Sequence, residues 1–284
     1  MIEVRDVYHD YEGKGAYAVQ GVSFTIPDGA IFGFLGPSGA GKSTVQGIMT
    51  GLLRLQKGSV RYDGSDIGSM GRSFFQRIGV SFEHPNLYGK LTGYENLKYF
   101  AGLFQGPTED PMQLLDMVGL ADAAKRRASA YSKGMKQRLV FARALINKPS
   151  ILFLDEPTSG LDPATAERIK ALILEKRDAG CTVFLTTHNM LDADRLCDTV
   201  AFLNSGRIVA MDSPRELKLA YGSRSVKVET RVDGRIETHT LFPAREEDRN
   251  QLSQLISSGT AETVHSQEAT LEEIFIKLTG RGLG

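Results

Sequence analysis

The chain has 284 residues, 41% of them apolar, and its 34 basic and 34 acidic side chains leave a formal net charge of zero. That length holds one large domain and a small appendage, the apolar fraction sustains a packed core, and the balanced charge gives no global field for nucleic acid. Two cysteines, Cys181 and Cys197, suit a reduced, cytosolic protein, and no run nears the ~18–20 apolar residues that span a bilayer, so another polypeptide must supply any membrane part.

Residues 2–8 alternate apolar and charged, which predicts an edge strand, and residues 18–26 predict a second. Pro27-Asp28-Gly29 is a turn, after which the apolar run 31–35 enters Gly36-Pro37-Ser38-Gly39-Ala40-Gly41-Lys42-Ser43-Thr44. This stretch fits G-x-x-x-x-G-K-[ST], and a helix-compatible segment over 44–53 follows it. Strand, loop and helix are the setting the motif needs. The glycines let several backbone N–H groups point at one anion, and the helix N-terminus adds a favourable dipole. Lys42 is placed to reach the β- and γ-phosphates of a bound nucleotide, and the Ser43 hydroxyl to ligate Mg²⁺.

Residues 59–62 form a short strand before an Asp63-Gly64 turn, and the strand 78–82 runs into Glu83-His84-Pro85. From 87 to about 145 the period becomes helical. Thr92 and Glu95 make a capping box for a helix through Phe104, 112–118 is a second helix, and 136–146 a third. Lys125-Arg126-Arg127 is read as a solvated face.

The parallel-sheet pattern returns at Ile151-Leu152-Phe153-Leu154, which ends in Asp155-Glu156. Asp162 caps a helix over 163–178 that starts with Pro163. The strand 181–185 ends in Thr186-Thr187-His188, residues 190–197 are helical, and Asn204-Ser205-Gly206 joins a hairpin. A helix starts at Pro214, capped by Ser213 with Glu216. A boundary is expected near Tyr221-Gly222-Ser223, giving domains 1–220 and 221–284. The second holds strands 226–232 and 235–241 around Asp233-Gly234, a helix over 248–256, a strand near 262–264 and a helix over 271–278 capped by Thr270 and Glu273.

Three apolar strands thus end in chemically loaded residues. Ligands of open α/β sheets sit beyond the carboxyl ends of the strands, so a phosphate cradle, two carboxylates and an imidazole are expected at one sheet edge. Asp155 would hold Mg²⁺, Glu156 would polarise the attacking water, and His188 would meet the γ-phosphate.

The set resembles the nucleotide-binding subunit of an ATP-binding-cassette (ABC) transporter, with the family's motifs in the family's order over residues 1 to about 220. Tyr131-Ser132-Lys133-Gly134-Met135 is similar to the L-S-G-G-Q signature, Ser159-Gly160-Leu161-Asp162 to the D-loop, and His188 to the switch histidine. Tyr11 fits the aromatic that stacks on adenine, with Tyr17 a second candidate. The resemblance implies an α/β fold: a P-loop NTPase (RecA-like) core with an antiparallel β subdomain, an inserted helical subdomain over about 87–145, and a small C-terminal α+β appendage. It also implies ATP and Mg²⁺ as ligands, a transmembrane permease made of separate chains, and a second ATPase subunit. The expected location is the cytoplasmic face of the membrane. Ser132 and Gly134, just before a helix, would complete the γ-phosphate site of the opposite subunit, with Asp162 near the crossing.

Two departures from the family pattern stand out. Glu83 occupies the place of the usual Gln in the loop that senses Mg²⁺, the attacking water and the membrane partner. A carboxylate accepts hydrogen bonds only and carries charge, so it favours Mg²⁺ and is repelled by a bare phosphate. Lys133 and Met135 replace Gly and Gln, and Tyr-Ser-Lys-Gly-Met resembles the branch that exports drugs, antibiotics and polysaccharides. Export by that branch is the reading; an importer ATPase and a soluble, non-transport ABC ATPase are the alternatives.

Overall fold

The computed structural model describes residues 1–232 and 235–280. In chain order, the first unit, Met1–Met211, contains β1 (Ile2–His9), β2 (Val19–Ile26), β3 (Ile31–Leu35), α1 (Lys42–Met49), β4 (Lys57–Tyr62), β5 (Ser65–Asp66), α2 (Arg72–Arg77), β6 (Ile78–Ser81) and α3 (Gly93–Ala101). It continues with α4 (Pro111–Met117), α5 (Lys133–Ala144), β7 (Ile151–Asp155), α6 (Pro163–Asp178), β8 (Thr182–Thr187), α7 (Met190–Leu196), β9 (Thr199–Asn204) and β10 (Arg207–Asp212), which ends at the unit boundary.

Every residue of β3, β7 and β8 is buried, which is why their central residues read as apolar runs rather than alternations. They are the interior of a six-stranded sheet of order β10-β9-β3-β8-β7-β6. The pairs β3–β8, β7–β8, β6–β7 and β3–β9 are parallel, so their carboxyl ends share one edge. A second, four-stranded sheet has the order β2-β1-β4-β5. Phe24 of β2 stacks on Phe32 of β3, with centroids 4.8 Å apart, and Phe34, Phe153 and Phe184 extend the cluster, joining the two sheets through one core. Each buried ring contributes about 1.5–3 kcal/mol.

β1 is not an edge strand. It pairs antiparallel with β2 on one side and β4 on the other. Its alternation records one buried face, with Ile2, Val4 and Val7 inside, and that pattern is the same whether one backbone edge is paired or both.

The helical insertion follows its caps. Thr92 and Glu95 form the expected capping box, and α3 stops at Gly102, short of Phe104. α5 begins at Lys133, three residues before the expected start, because the Ser132 Oγ accepts the Met135 N–H at 3.2 Å. Gly134 therefore lies within the first turn and not ahead of it. α2 has no sequence signal beyond one buried ring, Phe74.

The second unit begins at Asp212. It holds α8 (Pro214–Tyr221), β11 (Ser225–Val232), β12 (Arg235–Leu241), α9 (Glu246–Ser257), β13 (Ala261–Gln267) and α10 (Leu271–Thr279). Its sheet is antiparallel with order β12-β11-β13. The boundary falls at 211/212 and not near 221, because α8 packs with α10 and the Lys277 Nζ donates to the Tyr221 carbonyl at 2.8 Å. The Asp233-Gly234 turn lies outside the described residues. Among the described residues no helix is long and apolar enough to cross a membrane.

Candidate active site

The loop after β3 is seated on main chain. A Cβ on Gly36 would lie 2.2 Å from the Leu203 carbonyl oxygen, and one on Gly41 would lie 2.5 Å from the Ala18 carbonyl oxygen. Gly39 and Gly41 have φ of +78° and +105°, the left-handed region that favours glycine. The Gly206 N–H donates to the Ala40 carbonyl at 3.0 Å, which ties the loop to the β9–β10 turn. Lys42 opens α1 and is folded back over this loop. Its Nζ donates to the Gly36 carbonyl at 2.8 Å and the Pro37 carbonyl at 3.1 Å. Burial pulls the Lys42 ammonium below its ordinary pKa, while Glu156, Asp155 and Glu83 pull the other way. A desolvated cation held only by loop carbonyls at the start of a helix fits an anionic oxygen.

The parallel register of β3, β8 and β7 brings the other expected residues to the same edge. The Ser43 Oγ donates to Asp155 Oδ2 at 3.1 Å, and the Thr186 Oγ1 donates to Asp155 Oδ1. Asp155 is opposite Thr186 in the β7–β8 ladder. Glu156 has a φ of +48° and is buried. Thr187 Oγ1 donates to its Oε2 at 3.1 Å, and the His188 backbone N–H and Nδ1 both donate to Oε1, at 2.9 and 2.8 Å. The Glu156 carboxylate is thus held at both oxygens, whereas the His188 ring is 59% exposed. Sequence reasoning placed Asp155, Glu156 and His188 together but missed the supporting hydroxyls of Thr186 and Thr187. Their signal was available: two threonines at the end of a buried strand need partners for buried hydroxyls.

Tyr11 is exposed and its hydroxyl is 2.9 Å from Thr44 Oγ1, so its ring stands beside the start of α1. Tyr17 is exposed and packs edge-on against Tyr8. Ser38 lies in the loop at its solvent side. Glu83 is exposed just beyond β6, and its charge reaches Lys42. The loop that follows it is anchored by Arg143 of α5, which donates to the Asn86 carbonyl at 2.8 Å and to its Oδ1 at 2.6 Å. Of the aromatics in this region, Tyr88 is exposed and packs edge-on against Tyr99, while Phe82 and Tyr94 are half-buried.

Ser132 and Gly134 form a second cluster with the turn before α6. Leu161 is 3.4 Å from a Cβ built on Gly134, and the Lys133 side chain is 3.2 Å from a Cβ built on Gly160. Asp162 caps α6 by accepting the Thr165 N–H at 3.0 Å, and hydrogen bonds from Thr165 hold its carboxyl below the usual range. Cys181 and Cys197 are buried thiols. Burial pushes Cys181 up to about 11 and Cys197 higher, so neither is a reactive thiol.

Among the described residues no group of three or more His, Cys, Asp or Glu side chains converges as a metal centre. A Ser hydroxyl and one carboxylate beside a phosphate cradle are instead the hard-oxygen donors of Mg²⁺, which takes few protein ligands and completes its shell with phosphate and water. Together, the cradle, the buried lysine, this donor pair and a carboxylate oriented by an imidazole define a P-loop nucleoside-triphosphate hydrolase.

Comparison with known proteins narrows the class. Residues 19–159 match the ABC transporter family. The chain is 51% identical, over all of its length and 94% of the relative, to a fluoroquinolones export ATP-binding protein of Mycobacterium tuberculosis. It is 35% identical, over 94% of its length and 89% of the relative, to the daunorubicin/doxorubicin resistance ATP-binding protein of Streptomyces peucetius. Among solved structures it is similar to an ATP-binding cassette in a dimeric, post-hydrolysis state bound to ADP and Pi, with a TM-score of 0.68 and 27% identity over 75% of this chain and 98% of that one. The chain belongs to the ABC transporter family and is an ATP-binding subunit that hydrolyses ATP.

Proposed function

We propose that the chain powers the export of a drug- or antibiotic-like compound through separate permease subunits at the cytoplasmic face of the membrane. The observation that carries the export direction is full-length similarity to a fluoroquinolone exporter's ATP-binding protein, shared across the catalytic unit and the C-terminal unit alike. The sequence Tyr131-Ser132-Lys133-Gly134-Met135 supports the same branch.

In this reading the loop 36–44 wraps the phosphates, Lys42 exchanges its loop carbonyls for phosphate oxygens, and the Tyr11 ring takes the adenine. Ser43 and Asp155 would hold Mg²⁺, with Glu83 facing it from the end of β6; the ion would neutralise charge developing on the phosphates. Glu156 orients and deprotonates the attacking water. His188 stands next to it with an exposed Nε2. Because Nδ1 donates to Glu156, Nε2 meets a phosphate oxygen as a donor only when the ring is protonated or has let go of Glu156. Ser132 and Gly134, with N–H groups at the start of α5, would complete the γ-phosphate site of a second subunit, with Asp162 at the crossing. The dimeric state of the similar cassette supports that pairing.

Purification of the intact complex from membranes, with identification of every chain, tests the partners. Drug accumulation in everted vesicles, where an exporter loads the lumen on addition of ATP, tests the direction. Uptake of the opposite sense overturns export.

A further inference from the structure

Half-buried Thr158 and buried Lys170 and Asp192 form a cluster outside the phosphate site. Asp192 lies on α7, four residues after His188, and is 6% exposed. Its two carboxylate oxygens have separate partners. Oδ2 accepts the Thr158 hydroxyl at 2.6 Å, and Oδ1 accepts the Lys170 Nζ at 2.9 Å. Lys170 comes from α6 and is also buried. It pairs with Glu167 at 2.6 Å, and Glu167 in turn pairs with Arg195 of α7 at 2.9 Å. Burial draws the Lys170 ammonium down, but its bonds to Glu167 and Asp192 outweigh that and raise its pKa. Asn189 caps α7 by accepting the Leu191 and Asp192 N–H groups, which fixes where the Asp192 side chain starts.

These contacts make two rungs between the same two segments. The upper rung joins Glu156 to Thr187 and His188. The lower rung joins Thr158 to Asp192. The upper rung lies at the phosphate site, and its His188 ring is exposed. The lower rung has a buried carboxylate, Asp192, and is keyed by a third element, α6. A buried ion pair of this kind adds little net stability over an apolar replacement, but removing one partner leaves an uncompensated buried charge.

We propose that Asp192, held by Thr158 and Lys170, is a positioning residue for hydrolysis. It keeps the turn bearing Glu156 and the segment bearing His188 in register while the His188 ring exchanges Glu156 for a phosphate oxygen. The inference rests on the roles of Glu156 and His188 proposed above. It predicts a defect in turnover without a defect in ATP binding, since no member of the lower rung belongs to the phosphate cradle.

The test uses the purified full chain, with steady-state ATPase rates and direct binding of a fluorescent ATP analogue. Thr158→Val keeps the side-chain shape and removes the hydroxyl. It is expected to lower kcat about 10- to 100-fold, the scale of a displacement of up to ~1 Å at a reacting group, with analogue Kd within about twofold. Thr158→Ser is expected to recover kcat to within about threefold of the parent, because the hydroxyl is what matters. Should Thr158→Val not fold, Asp192→Asn keeps an acceptor for Thr158 while removing the charge opposite Lys170, and the same split of kcat from Kd is expected. Turnover of the folded variant within about twofold of the parent overturns the proposal, as does a loss of binding in proportion to turnover, or no recovery by Thr158→Ser. Glu156→Gln, run in parallel, separates the two levels. If it turns over normally, the underlying role of Glu156 fails; if it is inactive while Thr158→Val is normal, only the positioning role fails.

Discussion

Two glycines in the phosphate loop share a backbone region but not an environment, and replacing each by alanine isolates the effect of the loop's seat. Gly39 has a φ of +78° with nothing within 4 Å of an added Cβ. Gly41 has a φ of +105°, and its Cβ would lie 2.5 Å from the Ala18 carbonyl oxygen, about 0.9 Å inside ordinary contact. Either alanine incurs the left-handed penalty of about 1–2 kcal/mol. Gly41→Ala must also displace backbone, since Ala18 is tied to β1 through the His9 carbonyl, which adds about 1–3 kcal/mol of overpacking. For a unit of this size each kcal/mol shifts the unfolding midpoint by ~2–4 °C. Thermal unfolding without nucleotide should therefore show Gly39→Ala about 2–8 °C below the parent and Gly41→Ala about 2–12 °C lower still. ATP-analogue affinity should fall at least about tenfold in Gly41→Ala, because the displaced N-terminus of α1 no longer aims its N–H groups at one point. Equal midpoints for the two variants would refute the view that the Ala18 carbonyl seats the loop.

Two further predictions concern the rim of the site. Tyr11→Ala should weaken analogue binding about tenfold, on the scale of one base–aromatic stack, while Tyr11→Phe stays within about threefold. A Phe variant as weak as the Ala variant would assign the effect to the hydroxyl bond with Thr44 and not to the ring. Glu83→Gln should raise the Mg²⁺ concentration needed for half-maximal ATPase activity by about two- to fivefold, since it removes an exposed carboxylate that attracts the ion. An unchanged Mg²⁺ titration would remove Glu83 from metal sensing.

The parallel core was legible because burial on both faces writes itself as an apolar run. Ile151–Asp155 and Ile31–Leu35 stand out, and the residues at their carboxyl ends must then share a sheet edge. Capped helices were legible for a local reason, since Asp162, Thr92 and Thr270 each satisfy N–H groups within three residues. What failed depended on non-local partners. The pattern of β1 reports its buried face and says nothing about how many strands flank it. The start of α5 moved for a local reason instead: Gly134, a poor helix former, sits in the first turn behind the Ser132 cap. The boundary moved because α8 finds its partner, α10, some fifty residues later in the chain. The Thr158–Asp192–Lys170 cluster was invisible for the same reason: a buried Asp on a short helix looks like any surface carboxylate until α6 supplies its cation.

The central claim is that Glu156, held by Thr187 and His188, is the base for ATP hydrolysis in a site that a second subunit completes. Glu156→Gln in the full chain, mixed with ATP and Mg²⁺ and followed by ATPase rate and by light scattering, tests it most directly. The account predicts turnover reduced by a factor of ~10²–10⁴, retained ATP, and a mass of two chains that persists until ATP is removed. Turnover at the parent's rate would contradict it.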